Sequence, residues 1–174
     1  MPEEITLYES KWLGLYRIGH WDFVRRPNSD SCVGILAITD SNEVVLVEQF
    51  RIPVGKRVIE IPAGLVGDED EHRGEALADT AARELMEETG HRATEIRPIL
   101  SSPTSAGMTP EFTHLFLATG LSRETEGGGV SGEEITVHHV PLPELRCFLA
   151  GKISEGLAVD FKIHAALAAA GIGF

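Results

Sequence analysis

Three glutamates crowd into one helical turn in the segment RELMEETG, residues 83–90: Glu84, Glu87 and Glu88. Residues of an α-helix advance by about 100° each, so Glu84 and Glu88 stack on one face with Glu87 about 60° away. Like charges at this spacing repel by about 0.2–0.5 kcal/mol per pair. Carboxylate oxygens are the ligands of hard divalent cations such as Mg²⁺, and a bound cation would relieve the repulsion. The segment therefore predicts a metal site; the simpler alternative is a solvated helix face paired with Arg83.

The residues before the acidic turn predict the helix that positions it. Leu77, Ala81 and Leu85 recur every four residues and form one apolar stripe between Gly74 and Thr89. Gly90 follows at the position where a helix end favours glycine. Because the stripe points away from the carboxylates, the predicted helix is anchored in the core from behind.

The rest of the chain predicts β-strands around this central helix, with two helices at the end. Strands are predicted at 13–18, 21–26, 32–39, 43–50, 57–62, 93–100, 112–119 and 134–141, and helices at 143–151 and 158–170. The glycine-rich stretch TEGGGVSGEE, residues 125–134, predicts a mobile loop. Strands on both sides of a helix, with a terminal helix packed on, predict an α/β or α+β sandwich in one domain.

Composition limits the class of ligand. The chain has 174 residues with 27 acidic and 15 basic side chains, a net charge of −12. Such a surface repels nucleic acid, whereas a small anionic ligand can bind where arginines or a metal ion offset the field. Cys32 and Cys147 lack metal-type spacing and fit a reducing cytoplasm. Without a signal-peptide pattern or an apolar run of roughly 18 residues, we expect a cytoplasmic protein that binds no membrane.

The stretch from Gly64 to Gly90 resembles a Nudix box. That pattern is a glycine, five residues, a glutamate, seven residues and R-E-U-x-E-E-x-G-U, in which U is a bulky aliphatic residue. Two positions depart from it: ten residues instead of five separate Gly64 from Glu75, and His91 occupies the final U position. Strict spacing would place the glycine at Glu69, so we interpret the difference as a five-residue insertion with Gly64 keeping the glycine's role. The matching residues are Glu75, Arg83, Glu84, Leu85, Glu87, Glu88 and Gly90.

The resemblance to the Nudix hydrolase family implies a fold, a metal ion and a reaction. The fold is an α/β/α sandwich with a mixed sheet and an N-terminal β-hairpin extension. Glu84 and Glu88 would hold Mg²⁺, or Mn²⁺, with Glu87 as a further or water-mediated ligand. Arg83 would orient the glutamates, and Glu75 would brace the loop and helix. The family hydrolyses nucleoside diphosphates linked to another group.

The segment before the box, EQFRIPVGKRVIEIPAG, is similar to the ADP-ribose pyrophosphatase branch of that family. In this branch the residue equivalent to Arg51 contacts substrate phosphates, the one equivalent to Glu60 contacts substrate or metal, and the one equivalent to Ala63 offers its carbonyl to the metal. A guanidinium suits a phosphate because its fork binds two oxygens. Without the resemblance, the preferred interpretation of Arg51 is a surface charge at a strand end.

The two tryptophans lie in the N-terminal stretch ESKWLGLYRIGHWDFVRR. Core or hairpin packing is the usual role of tryptophan, but aromatic residues at equivalent places in this branch enclose the adenine. The resemblance therefore implies that Trp12 and Trp21 bind the base, with Arg25 or Arg26 adding a phosphate or interface contact. Residues 1–30 would form a segment exchanged between subunits of a homodimer, beside a Nudix domain at 31–174.

The general base of this branch is a glutamate on a loop outside the box. The glycine-rich loop supplies Glu133, the preferred candidate, and Glu134, and its glycines would allow the loop to close over substrate. Glu111, which ends the loop SPTSAGMTPE, is the third candidate. Each is otherwise interpretable as a surface carboxylate.

The resemblance implies hydrolysis of ADP-ribose to AMP and ribose 5-phosphate. The enzymatic alternative is cleavage of GDP-mannose or another nucleotide sugar, and the non-enzymatic alternative is a Nudix-fold sensor that binds a nucleotide without cleaving it. Histidines at 114, 138 and 139 receive no role, and Asp160 and Lys162 are interpreted as a cap and a surface residue of the last helix.

Overall fold

A computed structural model describes residues 2–67, 72–129 and 134–173. The strands are β1 (Glu4–Glu9), β2 (Gly14–Ile18), β3 (Trp21–Arg25), β4 (Ser31–Ile38), β5 (Glu43–Arg51), β6 (Lys56–Glu60), β7 (Ala63–Leu65), β8 (His91–Pro103), β9 (Phe112–Arg123), β10 (Thr136–Pro141) and β11 (Ala158–Val159). The helices are α1 (Leu77–Thr89), α2 (Leu145–Ser154) and α3 (Phe161–Ala170), and a 3₁₀ turn (Leu142–Glu144) precedes α2. No helix in these ranges is long and apolar enough to cross a membrane.

The large sheet is mixed. Its strand order is β11-β6-β5-β4-β9-β8, with β10 also paired to β5 and β7 also paired to β4. β4 pairs parallel with β9, and β11 pairs parallel with β6, whereas the hairpin pairs are antiparallel. Pro98 is tolerated inside β8 because this strand lies at the sheet edge, where a missing ladder donor costs little.

Helices cover both faces of this sheet and confirm the predicted sandwich. Alternate residues of β4 point to opposite faces: Val33 and Ile35 pack in a core with Leu85 of α1, whereas Leu36 packs in a second core with Ile163 of α3. All five side chains are fully buried, at 0% exposure. The sheet therefore holds α1 rigidly on one side of the molecule while α2 and α3 cover the other.

The acidic helix is shorter at its start than the sequence indicates. It begins at Leu77, not at Gly74, because Gly74 has a φ of 80°, a left-handed conformation that a right-handed helix cannot include. Its end is as predicted: Gly90 has a φ of 73° and donates its N–H to Met86 O. The apolar stripe is also confirmed, since Ala81 and Leu85 are fully buried.

The N-terminal strands form a separate sheet in the order β1-β2-β3. The predicted hairpin of β2 and β3 is confirmed, with Ile18 opposite Trp21, whereas β1 was not predicted. Two hydrogen bonds join this sheet to the loop between β8 and β9: Val24 N–H to Met108 O at 2.8 Å and Trp21 Nε1 to Gly107 O at 3.1 Å.

A buried carboxylate on β5 ties three elements together. Glu48 accepts hydrogen bonds from Arg57 Nε of β6 at 2.6 Å, His138 Nε2 of β10 at 3.0 Å and Lys152 Nζ of α2 at 3.0 Å. Burial alone would raise the pKa of Glu48, but these donors outweigh it and lower the pKa to about 2. Glu48 therefore favours the folded state while it is ionised.

This network predicts a specific acid sensitivity. The folded pKa of Glu48, about 2, lies below the ordinary value of 4.5, so its stabilisation is present above pH 4.5 and is lost as the pH falls towards 2. We expect Glu48→Gln to lower the free energy of unfolding at pH 7 by about 3 kcal/mol, because it removes the buried charge that Arg57 and Lys152 pair with. Urea denaturation of both proteins between pH 7 and pH 3 measures the effect. Exposed Glu95→Gln is the control, and an identical pH dependence in wild type and Glu48→Gln would contradict the assignment.

Candidate functional site

A cavity of about 710 Å³ opens between the acidic face of α1 and the turn that joins β5 to β6. Carboxylates from α1 line one side, and the other walls carry cations, hydroxyl groups and a thiol. The cavity brings together these residues predicted from the sequence: Arg51, Glu60, Ala63, Gly64, Arg83, Glu84, Glu87, Glu88 and Glu111.

The carboxylate of Glu84 lies beside the backbone of Gly64. A Cβ built at position 64 would lie 2.0 Å from Glu84 Cδ, so the Glu84 carboxylate occupies the space that any side chain at this position would need. A glycine at 64, with ten residues between it and Glu75, therefore lets the Glu84 carboxylate keep this place, as the insertion hypothesis supposes. The longer loop leaves this contact in place.

Arg83 neutralises the outer part of the acidic turn. Its Nη1 lies 2.9 Å from both Glu84 Oε1 and Glu87 Oε2, and its Nε lies 3.4 Å from Glu75 Oε2. Burial alone would lower the pKa of Arg83, but the charges of Glu84, Glu87 and Glu75 outweigh it and raise the pKa. Arg83 thus fixes the glutamates, while the N–H groups of its buried Nη2 stay without a partner among the described residues.

Glu88 is the buried member of the acidic group, at 5% exposure. Its Oε2 accepts the N–H of Ala63 at 3.0 Å. This bond joins the last turn of α1 to β7, which pairs with β4 in the core sheet. One carboxylate oxygen is thereby fixed by backbone, and the side chain is held at the cavity wall.

The donor set fits a cation that retains water. Within 2–67, 72–129 and 134–173 no three His, Cys, Asp or Glu side chains form a preformed metal cluster. Mg²⁺ does not require one, because it keeps several waters and binds through one or two carboxylates plus substrate phosphates. Glu84, which lies beside Gly64, and Glu88, held by Ala63, provide two carboxylates on one wall. The residues present therefore fit Mg²⁺ or Mn²⁺ bound together with a phosphate ligand.

Two arginine–glutamate pairs form part of the remaining walls. Arg51 Nε donates to Glu60 Oε2 at 2.6 Å, and Glu60 is 4% exposed. Arg26 Nε donates to Glu111 Oε2 at 3.2 Å. In both pairs the glutamate accepts from Nε of the arginine. The terminal guanidinium nitrogens of Arg51 and Arg26 can therefore donate to an anionic ligand. The cavity can therefore bind a phosphate opposite the carboxylates of α1.

A family model for the NUDIX domain matches residues 29–159. The chain belongs to the Nudix family. A methanol dehydrogenase activator from Bacillus methanolicus is 39% identical over 113 residues, 65% of this chain and 57% of the relative. An ADP-ribose pyrophosphatase from Bacillus subtilis is 40% identical over 101 residues, 58% of this chain and 50% of the relative. A GDP-mannose pyrophosphatase from Cronobacter sakazakii is 34% identical over 132 residues, 71% of this chain and 63% of the relative.

The matched regions thus span about half to two thirds of these relatives' own lengths. The crystal structure of an ADP compounds hydrolase shares the fold, with a TM-score of 0.76 at 17% identity, over 97% of this chain and 89% of that chain. The similarity confirms the Nudix fold that the sequence predicted.

Lys162 lines the Nudix cavity, although the sequence indicated a surface position. Asp160 caps α3, as predicted, by accepting the N–H of Lys162 at 2.7 Å, and its carboxylate also pairs with Lys162 Nζ. The lysine side chain is 18% exposed. The sequence interpretation was wrong because a helix pattern does not show that the start of α3 lies beside β6, where Asp160 N–H bonds Ile59 O at 2.9 Å.

Three small residues also line the cavity and were missed: Cys32 on β4, Thr113 on β9, and Thr104, which directly follows β8. Thr113 Oγ1 lies 2.8 Å from Thr104 Oγ1 and 3.2 Å from Cys32 Sγ. Burial raises the pKa of the Cys32 thiol, which keeps it protonated at neutral pH. Only the strand pairing that places Cys32 opposite Thr113 reveals this cluster, because the residues are far apart in the sequence.

Several predicted ligand residues lie away from the cavity of the single chain. Trp12 is 61% exposed, and Trp21 is 55% exposed with its Nε1 bonded to Gly107 O. Arg25 pairs with Glu4 at 2.8 Å and stacks on the Tyr16 ring at 4.1 Å. Their roles in substrate binding stay predictions.

Two of the three candidate bases, Glu111 and Glu134, lie among the described residues. Glu111 lines the cavity, paired with Arg26. Glu134 is exposed at the start of the segment that leads into β10. Glu133 lies outside the described residues. The choice among them therefore stays open.

Proposed function

We propose that this Nudix protein hydrolyses the pyrophosphate bond of a nucleoside diphosphate derivative, with ADP-ribose giving AMP and ribose 5-phosphate. The observation that supports it best is one cavity with carboxylates of α1 on one wall and the cations of Arg26, Arg51 and Lys162 on the others. A diphosphate is negatively charged, so the cationic walls can bind it directly. The carboxylate wall can bind it through a divalent cation. Relatives named ADP-ribose pyrophosphatase support the choice of substrate.

The proposed roles follow from the contacts. Glu84 and Glu88, with the carbonyl of Ala63, would hold Mg²⁺, and Glu87 would bind it directly or through water. When bound, Mg²⁺ supplies charge neutralisation and Lewis-acid activation for attack at phosphorus. Arg83 keeps the glutamates in place through its ion pairs.

The diphosphate would lie across the guanidinium groups of the opposite wall. Arg51, oriented by Glu60, would bind two phosphate oxygens through its terminal nitrogens. Glu133 or Glu134, or else Glu111 beside Arg26, would accept the proton of the attacking water. All three are retained as candidates in that order of preference.

Incubation with ADP-ribose tests this proposal directly. We expect AMP and ribose 5-phosphate in equal amounts with Mg²⁺ or Mn²⁺, and none after EDTA treatment, because without the cation the carboxylates of α1 repel the diphosphate and no Lewis acid activates the water. Chromatography of the nucleotide product gives the measurement. Absence of any product from ADP-ribose, GDP-mannose, UDP-glucose and NADH would contradict an enzymatic function and favour a nucleotide-binding sensor.

The second candidate substrate is GDP-mannose. The relative from Cronobacter sakazakii carries that activity in its name, and the diphosphate site described above makes no distinction between bases. A panel of both substrates at equal concentration separates the two. A higher kcat/KM for GDP-mannose would replace ADP-ribose while leaving the reaction type unchanged.

The N-terminal sheet supports a homodimer. It exposes Ile5 at 54%, Tyr8 at 65% and Trp12 at 61% of their surface, an apolar set that a second copy could cover. We propose that residues 1–30 are exchanged between subunits and that Trp12 and Trp21 reach the base of the substrate in the dimer. The free thiols of Cys32 and Cys147 agree with the cytoplasmic location we propose. Light scattering of the purified chain measures the subunit number.

Lys162 adds a cation that the family resemblance did not indicate. The arginines at 26, 51 and 83 pair with carboxylates that line the cavity, whereas Lys162 pairs with Asp160, which does not. We expect Lys162→Met to raise KM for ADP-ribose about tenfold with kcat within about threefold, since one charge-assisted hydrogen bond contributes about 1.5–3 kcal/mol. Steady-state kinetics measure it, with Arg92→Met as the surface control, since Arg92 is 66% exposed and pairs with Glu124 outside the cavity. An unchanged KM would contradict the role.

A further inference from the structure

The glycines at 127–129 lie against the last turn of α1. Gly128 N–H donates to Glu88 O at 2.9 Å, and Gly129 N–H donates to Glu87 O at 3.0 Å. These carbonyls belong to two of the residues proposed to hold the metal, and they are among the last helix carbonyls, which lack partners inside a helix. The sequence predicted a mobile loop here, but the described part of the loop caps the acidic helix.

This approach of backbone to backbone requires glycine. Gly127, Gly128 and Gly129 have φ values of 68°, 105° and 84°, which side chains disfavour. A Cβ at 127 would lie 2.4 Å from Thr89 C, and one at 90 would lie 2.1 Å from Thr125 O. The contact with α1 therefore requires glycine at 127, and the positive φ values favour glycine at 128 and 129.

A second contact joins β10, which follows the glycine-rich loop, to the last turn of α1. His139 Nε2 on β10 lies 3.2 Å from His91 Nε2, and His91 Nδ1 lies 3.0 Å from Thr89 O. A carbonyl only accepts, so Nδ1 of His91 carries its proton and its Nε2 accepts from His139. Burial lowers the pKa of His91, and the neighbouring His139 adds to this effect, which keeps His91 neutral.

We infer that the glycine contact and the His91–His139 hydrogen bond together hold two stretches that the structure describes, residues 127–129 and the start of β10 with the candidate base Glu134, against the metal-binding turn of α1. Both anchors reach the last residues of α1: one through Glu87 and Glu88 carbonyls, the other through Thr89 and His91. This explains why a histidine stands where the Nudix pattern has an aliphatic residue. His91 and His139 are positioning residues, and the inference rests on the proposed function.

Removing the hydrogen bond without removing side-chain bulk tests this inference. We expect His139→Leu to lower kcat about 10- to 100-fold, with KM for ADP-ribose within about twofold, because a displacement near 1 Å can cost about 100-fold in rate. His139→Gln, whose amide can still donate to His91, should keep kcat within about threefold of wild type. Equal losses in both variants, or a loss in KM alone, would overturn the inference.

Two further variants separate positioning from folding. Gly127→Ala, which clashes with Thr89, should lower kcat as His139→Leu does, whereas Gly156→Ala should not. Gly156 has a similar φ of 93° but no atom within 4 Å of a built Cβ. In a chain that carries both Glu133→Gln and Glu134→Gln, His139→Leu should cause no further loss, since the anchor acts through the base. A full additional loss in that background would overturn the inference.

Amide hydrogen exchange supplies a readout independent of activity. The amides of Gly128 and Gly129 should be protected in wild type and His139→Gln, and exchange faster in His139→Leu. Unprotected amides in wild type would overturn the inference. A wild type that hydrolyses none of the substrates would contradict the proposed function instead, and the exchange rates would still decide whether the anchors exist.

Discussion

Glu88→Gln is expected to lower kcat for ADP-ribose by about 1000-fold or more, with little change in the fold. The substitution removes the negative charge of a proposed metal ligand, and a 1000-fold loss corresponds to about 4 kcal/mol of transition-state stabilisation. The fold should persist because the glutamine carbonyl can still accept the Ala63 N–H that Glu88 now accepts at 3.0 Å. Steady-state kinetics and thermal unfolding of the same preparation measure both quantities.

Glu126→Gln is the matched control for this substitution. Glu126 is a glutamate outside the cavity, its side chain is 96% exposed, and its ion pair with Arg123 lies on the surface. Its turnover should equal that of wild type. A Glu88→Gln variant with wild-type turnover, or one that loses activity because it unfolds, would contradict the metal assignment.

Gly64→Ala is expected to lower kcat/KM about 100-fold. The new Cβ would lie 2.0 Å from Glu84 Cδ, so the Glu84 carboxylate must leave its place on the cavity wall. A displacement of about 1 Å at a reacting centre can cost about 100-fold in rate. Because the contacting atom is the end of a flexible side chain, Glu84 can move without disrupting the core, and the melting temperature should change little. Kinetics with Mg²⁺ titration measure the loss and any weakening of metal binding.

Two variants make the Gly64 result specific. Gly151→Ala in α2 adds a methyl group where no atom lies within 4 Å, so its activity should equal that of wild type. Glu69→Ala changes the position where strict Nudix spacing would place the glycine, and it should also be neutral. If Glu69→Ala were the inactivating change and Gly64→Ala the neutral one, the insertion hypothesis would be wrong.

The acidic turn and its helix could be predicted from the sequence because they depend on local spacing. Glu84, Glu87 and Glu88 lie within one turn, and a repeat of Leu77, Ala81 and Leu85 fixes which face is buried. The short-range pattern also located the end of the helix at Gly90. None of these predictions required knowledge of which strands are neighbours.

The opposite wall of the cavity could not be predicted in the same way. Lys162, Thr104 and Cys32 meet there because β4 pairs with β9 and the start of α3 lies beside β6. These contacts join residues that are distant in the sequence, so a helical or strand repeat of apolar residues cannot predict them. The role of the glycines at 127–129 was likewise hidden, because a glycine run predicts freedom of the backbone but not the surface against which it packs.

A crystal grown with Mn²⁺ and a non-hydrolysable analogue of ADP-ribose tests the central claim most directly, through the anomalous signal of the metal. We predict a peak between the side chains of Glu84 and Glu88, with a phosphate oxygen of the analogue among its ligands and Arg51 on the opposite side of the diphosphate. An analogue bound in the cavity with no metal peak beside α1, or a metal bound elsewhere with those carboxylates unengaged, would contradict it.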